Sequence, residues 1–329
     1  MANETESAVL LVSISPHIFG GATTNQIMRD VVIALAPAFI ASFLIFGVRA
    51  AIVVAVCVLS CVGFEWLYQK GMKQPITISD YTAVITGMLL AFNLPHTIPL
   101  WQAAFGSMIA IVLVKQLFGG LGKNFANPAI TGRIVMFLAF SVTMTTWELP
   151  TNSIAAPLFP VVTGATAVDT LTGASPLALI ASGKLDELPK LMDMFLGLHR
   201  GSLGETCAVA LILGGIYLLV RGVITWHTPV TFIATVVLLT AVLGQSPIYQ
   251  LLSGGLLLGA IFMATDYVTA PHTEAGKIVF GVGAGLLTVL FRVYGSFPEG
   301  VSFAILIMNI LTPYINNFTE SKPLGRVTT

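Results

Sequence analysis

The run Asp169-Thr-Leu-Thr-Gly-Ala-Ser175 sets a carboxylate and three hydroxyls together without any apolar periodicity. Alcohol oxygens of this kind can attack a phosphate, and a second hydroxyl-terminated run, Thr163-Gly-Ala-Thr166, stands just upstream. An Asp followed by Thr-Gly also starts an ordinary turn, and the residues alone leave that reading open. Both runs lie in a polar stretch from Trp147 to Ser202 that interrupts a series of apolar segments. Connecting loops are usually short, so a long one with an ordered-looking motif is where function is sought first.

A second concentration of chemistry is Gly119-Gly-Leu-Gly-Lys-Asn124. Its spacing approaches that of a phosphate loop. Leu117 replaces the leading glycine, however, and Asn124 replaces the Ser/Thr that would hold magnesium, which excludes an ATPase. Two readings remain: a glycine-rich turn into Asn127-Pro128, where proline starts a helix well, or a turn that approaches a cofactor ring or phosphate. Glu65, Lys115, Arg133, Asp266 and Arg292 are ionisable groups inside or beside apolar segments. Such groups near segment ends can snorkel to water and act in topology alone. Arg133 and Asp266 stand out because each adjoins one of two weakly similar stretches, 126–135 and 270–279. His17, His96, His199, His227 and His272 are scattered without metal-binding spacing, so no metal is assigned to them. Cys57, Cys61 and Cys207 form no C-x-x-C pair and read as small packing residues.

Membrane-spanning helices must position these groups. The 329 residues are 56% hydrophobic and 9% charged, with mean hydropathy +0.90, whereas a soluble domain carries roughly 25% charged residues. The chain is therefore an integral membrane protein, and its formal net charge of zero argues against nucleic acid as a partner. The acidic start Met1-Ala-Asn-Glu-Thr-Glu is unlike a signal peptide, and the apolar run 8–14 is too short to be one. A spanning helix needs about 20 apolar residues. Ten stretches are read as spans: 27–47, 50–68, 81–94, 99–118 and 129–146, then 203–220, 229–244, 248–264, 278–293 and 301–314. The third is short, opening beside Asp80 and ending at Asn93-Leu-Pro95, and short spans tend to line binding sites. The predicted fold is all-α and polytopic. It has a segment 1–26, five spans in 27–146, a long external loop 147–202, five spans in 203–317, and a tail 318–329. Lys and Arg concentrate on one side of this plan, which puts both termini in the cytoplasm and the long loop outside.

With these features assembled, the chain resembles a known family. Asp-x-x-Ser/Thr-Gly-Ala-Thr/Ser followed by Pro-Leu is similar to the signal that flavin transferases modify. It occurs in a family of ten-span membrane subunits that includes the D subunit of the Rnf ferredoxin:NAD oxidoreductase and the B subunit of the sodium-pumping NADH:quinone reductase. Ser15-Pro-His17, Asp80-x-x-x-Val-Ile-Thr-Gly87 with Leu94-Pro95, the Gly119–Pro128 run and Thr265-Asp266 extend the similarity along the chain. The length and short N-terminal extension favour the Rnf branch.

The resemblance implies FMN joined through its phosphate to the last hydroxyl of the motif. That residue is Ser175 here, where threonine is usual, with Asp169 and Thr172-Gly173-Ala174 as recognition features. Thr166 is the alternative tether; it keeps the threonine but has Pro160 in place of the acid. Ser175 is favoured because Asp169 and Pro176-Leu177 both fit. A second, non-covalent flavin (riboflavin) is expected near Asn124, Asn127 and Asp266 on the cytoplasmic side. The implied partners are other membrane and peripheral subunits, a flavin transferase and membrane lipid, in the cytoplasmic membrane of a bacterium or archaeon. The implied function is electron transfer coupled to Na⁺ or H⁺ movement, by a component that is not catalytic alone. Two rival expectations are a flavin-free transporter or channel and a redox-silent scaffold in which the serine marks lost flavinylation.

Overall fold

A computed structural model describes residues 23–148, 172–295 and 300–320. Thr23 opens α1 (Thr24–Phe46) through a capping box with Gln26, and Gly47, at φ 72°, turns the chain into α2 (Val48–Gly71). Asp80 accepts hydrogen bonds from the Thr82 amide and hydroxyl at the start of α3 (Thr82–Phe92). Next come α4 (Leu100–Gln116), α5 (Pro128–Ala139), capped by Asn127, and the short α6 (Ser141–Thr145). The pair β1 (Trp147–Glu148) and β2 (Thr172–Gly173) is antiparallel, with Trp147 opposite Gly173. Then follow α7 (Pro176–Ala181), α8 (Leu191–Leu196), α9 (Ala208–Val220), α10 (His227–Val242) and α11 (Pro247–Leu252). A short α12 (Leu256–Leu258), α13 (Glu274–Tyr294) and α14 (Val301–Thr319) complete the described chain.

Helix occupies each of the ten stretches read as spans, and the predominantly helical fold class is borne out. Four helices, α1, α2, α13 and α14, are long and apolar enough to cross a membrane, while α3, α4, α5, α9 and α10 are shorter apolar helices. Three stretches differ from the expected continuous helices. The fifth breaks at Phe140, between α5 and α6. The sixth begins at Ala208 rather than 203, because the Leu203 and Gly204 amides donate to the Leu94 and Phe92 carbonyls instead of starting a helix. The eighth breaks at Ser253-Gly254-Gly255, whose glycines sit at φ 66° and 67°, a region that suits glycine.

Two of the helical stretches switch to π geometry, Ile109–Gln116 within α4 and Gly259–Met263 after α12. There the Leu117 amide reaches Val112 and the Ala264 amide reaches Gly259, five residues back. Such segments often mark functional sites. The core crosses the middle of the sequence, since α1 packs on α9 and α5 on α14. Small residues permit the closest approaches: Gly281 and Gly285 of α13 leave room for Thr231 and Thr235 of α10. Large apolar side chains such as Leu238, Val242 and Phe318 face outward, as lipid contact requires.

Candidate functional site

Ser175 is the N-cap of α7, and its Oγ accepts from the Ala178 amide at 3.3 Å. The residue is only 7% exposed, and Leu177 beside it is buried. It lines a recess of about 230 Å³, mouth included, together with His199, Arg200, Glu205, Ser253 and Gly254. Gly173 lets the Arg200 guanidinium lie close: a Cβ there would be 2.6 Å from Arg200 Cζ and would push that side chain aside. Thr172 and Gly173 form β2, and Ala174 connects them to Ser175. Asp169 and Thr166 lie outside the described residues, so the geometry bears on Ser175 alone of the two tethers. Glu205 Oε1 accepts from the Ser202 amide, folding 199–206 into a tight turn over the end of α3. Burial holds His199 far below its ordinary range, at about 4, so its ring is neutral at physiological pH.

Asn124, Asn127 and Asp266 share a larger cleft with Thr82, Lys115 and Tyr267, enclosing about 810 Å³ with its mouth. Its walls are mainly apolar, with Leu89 and Phe262 among them, as in sites for organic ligands. The glycines 119, 120 and 122 all take positive φ, so the run 119–124 is a glycine turn that carries Leu121 and Asn124 to the cleft. Asn127 Oδ1 is engaged in capping α5 through the Ala129 and Ile130 amides. The Asp266 carboxylate accepts from Thr269 Oγ1 at 3.1 Å, and burial pushes its pKa above the usual carboxylate range. Lys115 is not snorkelling. Its Nζ bonds Glu65 Oε2 at 2.8 Å and Thr82 Oγ1 at 2.6 Å, all buried.

The two sites stand at opposite ends of α1. Met28 and Val31 line the cleft, whereas a Cβ on Gly197, just before the Ser175 recess, would lie 2.9 Å from Ile45 Cδ1. The helical run from Met28 to Ile45 spans roughly 25 Å at about 1.5 Å per residue. The NQR2, RnfD, RnfE family model matches residues 11–325, a range that holds both sites. This chain belongs to that family. It is 43% identical over 318 residues to the D subunit of the Na(+)-translocating ferredoxin:NAD(+) oxidoreductase complex of Acetobacterium woodii, covering 96% of this chain and 95% of the relative. The D subunit of the proton-translocating ferredoxin:NAD(+) oxidoreductase complex of Clostridium ljungdahlii is 39% identical, with 96% of each chain covered. Its counterpart in the ion-translocating oxidoreductase complex of Escherichia fergusonii is 34% identical over 96% of this chain and 99% of its own. Within this NQR2, RnfD, RnfE member, sequence reasoning passed over 199–206. His199 reads as one of five scattered histidines and Arg200 stands in no motif, so only the dense polar run ahead of an apolar stretch marks them.

Proposed function

We propose that this chain is the membrane electron-transfer subunit of an ion-translocating ferredoxin:NAD oxidoreductase complex, with FMN held as a phosphate ester on Ser175. The carrying observation is similarity over nearly the whole length to the D subunits of such complexes, with neither site region left out. Ser175 fits the tether: its hydroxyl opens onto a recess lined by Arg200 and His199, a donor set suited to a phosphate. FMN supplies the redox chemistry when bound, while the chain places it and excludes water. The apolar cleft at Asn124 and Asp266 is the counterpart site for a non-covalent riboflavin, walled by Leu89 and Phe262 with polar groups at its rim. The ten helical stretches act as ten crossings in two halves, with the termini cytoplasmic and 147–202 external. Placement of the two sites about a bilayer's core apart supports their lying at opposite faces, and the Lys/Arg distribution supports which face is cytoplasmic. The coupling ion is not fixed by similarity, since relatives named for Na⁺ and for protons are 43% and 39% identical.

One observation favours a rival. The break at 253–255 makes a discontinuous helix of the kind that lines transporter sites. Flavin attachment separates the two readings. The chain is co-expressed with a flavin transferase, denatured in SDS, and examined for in-gel flavin fluorescence beside Ser175→Ala and Thr166→Ala. Fluorescence lost only in Ser175→Ala is expected. Loss only in Thr166→Ala keeps the function and moves the tether, whereas a dark unmutated chain beside a labelled control substrate supports a transporter or a redox-silent scaffold.

A further inference from the structure

The recess beside Ser175 gathers polar atoms that the fold itself leaves unsatisfied. Among the described residues, Arg200 Nε, His199 Nδ1 and Glu205 Oε2 are buried without a hydrogen-bond partner. His199 is 3% exposed. A buried polar atom left without a partner forfeits its hydration and gains nothing in return; of the three, Arg200 Nε and His199 Nδ1 can donate to an occupant, whereas Glu205 Oε2 can only accept. Arg200 bears directly on the motif. A Cβ on Gly173 would meet its Cζ at 2.6 Å and Nη1 at 2.7 Å, so the guanidinium lies against the backbone two residues before Ser175. Its planar fork of donors matches phosphate geometry.

Size and charge narrow the occupant. At about 230 Å³ the recess falls below the range for whole organic ligands, roughly 300–1,000 Å³. It has no room for a flavin ring, which would lie outside it. Glu205 alone would favour a cation, but Arg200 lines the same recess and two further guanidinium groups border the adjoining Gly254-Gly255 turn. Gly255 lies against both Glu205 Oε2 and Arg133 Nη1, and Gly254 against Arg292 Nη2. A carboxylate so surrounded leaves the recess suited to an anion.

We propose that Arg200, assisted by His199 as a hydrogen-bond donor, is the positioning group for a phosphate ester carried on Ser175. Arg200 holds the phosphate and so fixes the direction in which the attached group leaves the recess. The proposal rests on the flavin reading above and adds the residue that orients the tether.

A double-mutant cycle tests it. The unmutated chain, Ser175→Ala, Arg200→Gln and the double variant are each co-expressed with a flavin transferase. Each is then assayed for SDS-stable fluorescence, for Tm in lipid nanodiscs and for flavin fluorescence anisotropy. Arg200→Gln is expected to keep SDS-stable fluorescence and to lose anisotropy. The Tm gain that flavinylation confers should fall by roughly half, since charge-assisted bonds are about twice as strong as neutral ones. Arg200→Lys, which keeps the charge without the fork, should fall between and preserves the comparison if the glutamine variant does not fold. Equal Tm losses with and without Ser175, with anisotropy unchanged, mean that Arg200 only packs the loop, and the proposal is overturned while the flavin reading stands. An unmutated chain without SDS-stable fluorescence overturns both.

Discussion

At the residue scale, polarity is buried on terms that differ from one site to the other. In the cleft, Lys115 and Glu65 neutralise each other, and Thr82 Oγ1 accepts a further hydrogen bond from the ammonium. Loss of either partner from such a pair typically costs about 3–5 kcal/mol, because the remaining charge is uncompensated. Near Ser175 the device is different: His199 is buried in its neutral form, with a pKa of about 4 against an ordinary 6.5. The unfolded chain therefore binds more protons than the folded one between those values. Stability is fully present above pH about 6.5 and declines as pH falls toward about 4, by up to about 3 kcal/mol. Acidification over that window should lower the Tm of the purified chain more steeply than that of His199→Gln. Parallel pH profiles for the two proteins would show that His199 ionises as freely in the fold as outside it.

At the element scale, α7 decides when the motif can be modified. Ser175 is almost wholly buried, and Leu177, two residues on, packs against the Gly254 turn between α11 and α12. A transferase cannot reach a hydroxyl in that setting, so on the flavin reading attachment precedes the docking of α7. Transferase and nucleotide added to membranes holding the folded, unflavinylated chain should label it far more slowly than co-expression does. Leu177→Ala should speed that late labelling, since truncating a buried leucine weakens its docking by about 2–5 kcal/mol. Equal early and late rates would mean that the docked hydroxyl is already accessible. The positions of α1, α2, α13 and α14 were legible because long apolar runs have one solution in a bilayer. The break at Ser253-Gly254-Gly255 was not, because small residues within an apolar stretch read equally well as close helix packing. Nor was the docked 203–206 segment, whose amides pair with carbonyls at Phe92 and Leu94, far away in sequence. Ser175 was legible from its motif. Arg200 and His199 were not, because only the packing of 199–206 beside α7 brings them to it, and the grouping of Asn124, Asn127 and Asp266 came from family likeness rather than from spacing.

At the scale of the whole molecule, helices from before and after the 147–202 stretch are joined near both sites. Asp30 of α1 accepts from Tyr217 and pairs with Arg221 at the end of α9, beside the cleft, while Arg133 of α5 bonds Asn93 and Ser302 near the Gly255 turn. The helices that carry the cleft at one end thus carry the Ser175 recess at the other, roughly 25 Å away by helix rise. That length approaches the bilayer's apolar thickness of about 30 Å, so the sites open at opposite interfaces if α1 crosses the membrane. The arrangement yields a direct test of orientation. Lys123, on the glycine turn at the cleft, and Lys184, just past α7, are both exposed. In a Cys207→Ser background, with Cys57 and Cys61 buried, Lys123→Cys should react with a membrane-impermeant maleimide only in inside-out vesicles. Lys184→Cys should react only in right-side-out ones. Reaction of both from one face would put the two sites on the same side of the membrane, which the run of α1 between them forbids for a spanning helix. The opposite pair of results would invert the molecule, leaving the sites on opposite faces but exchanging which of them faces the cytoplasm.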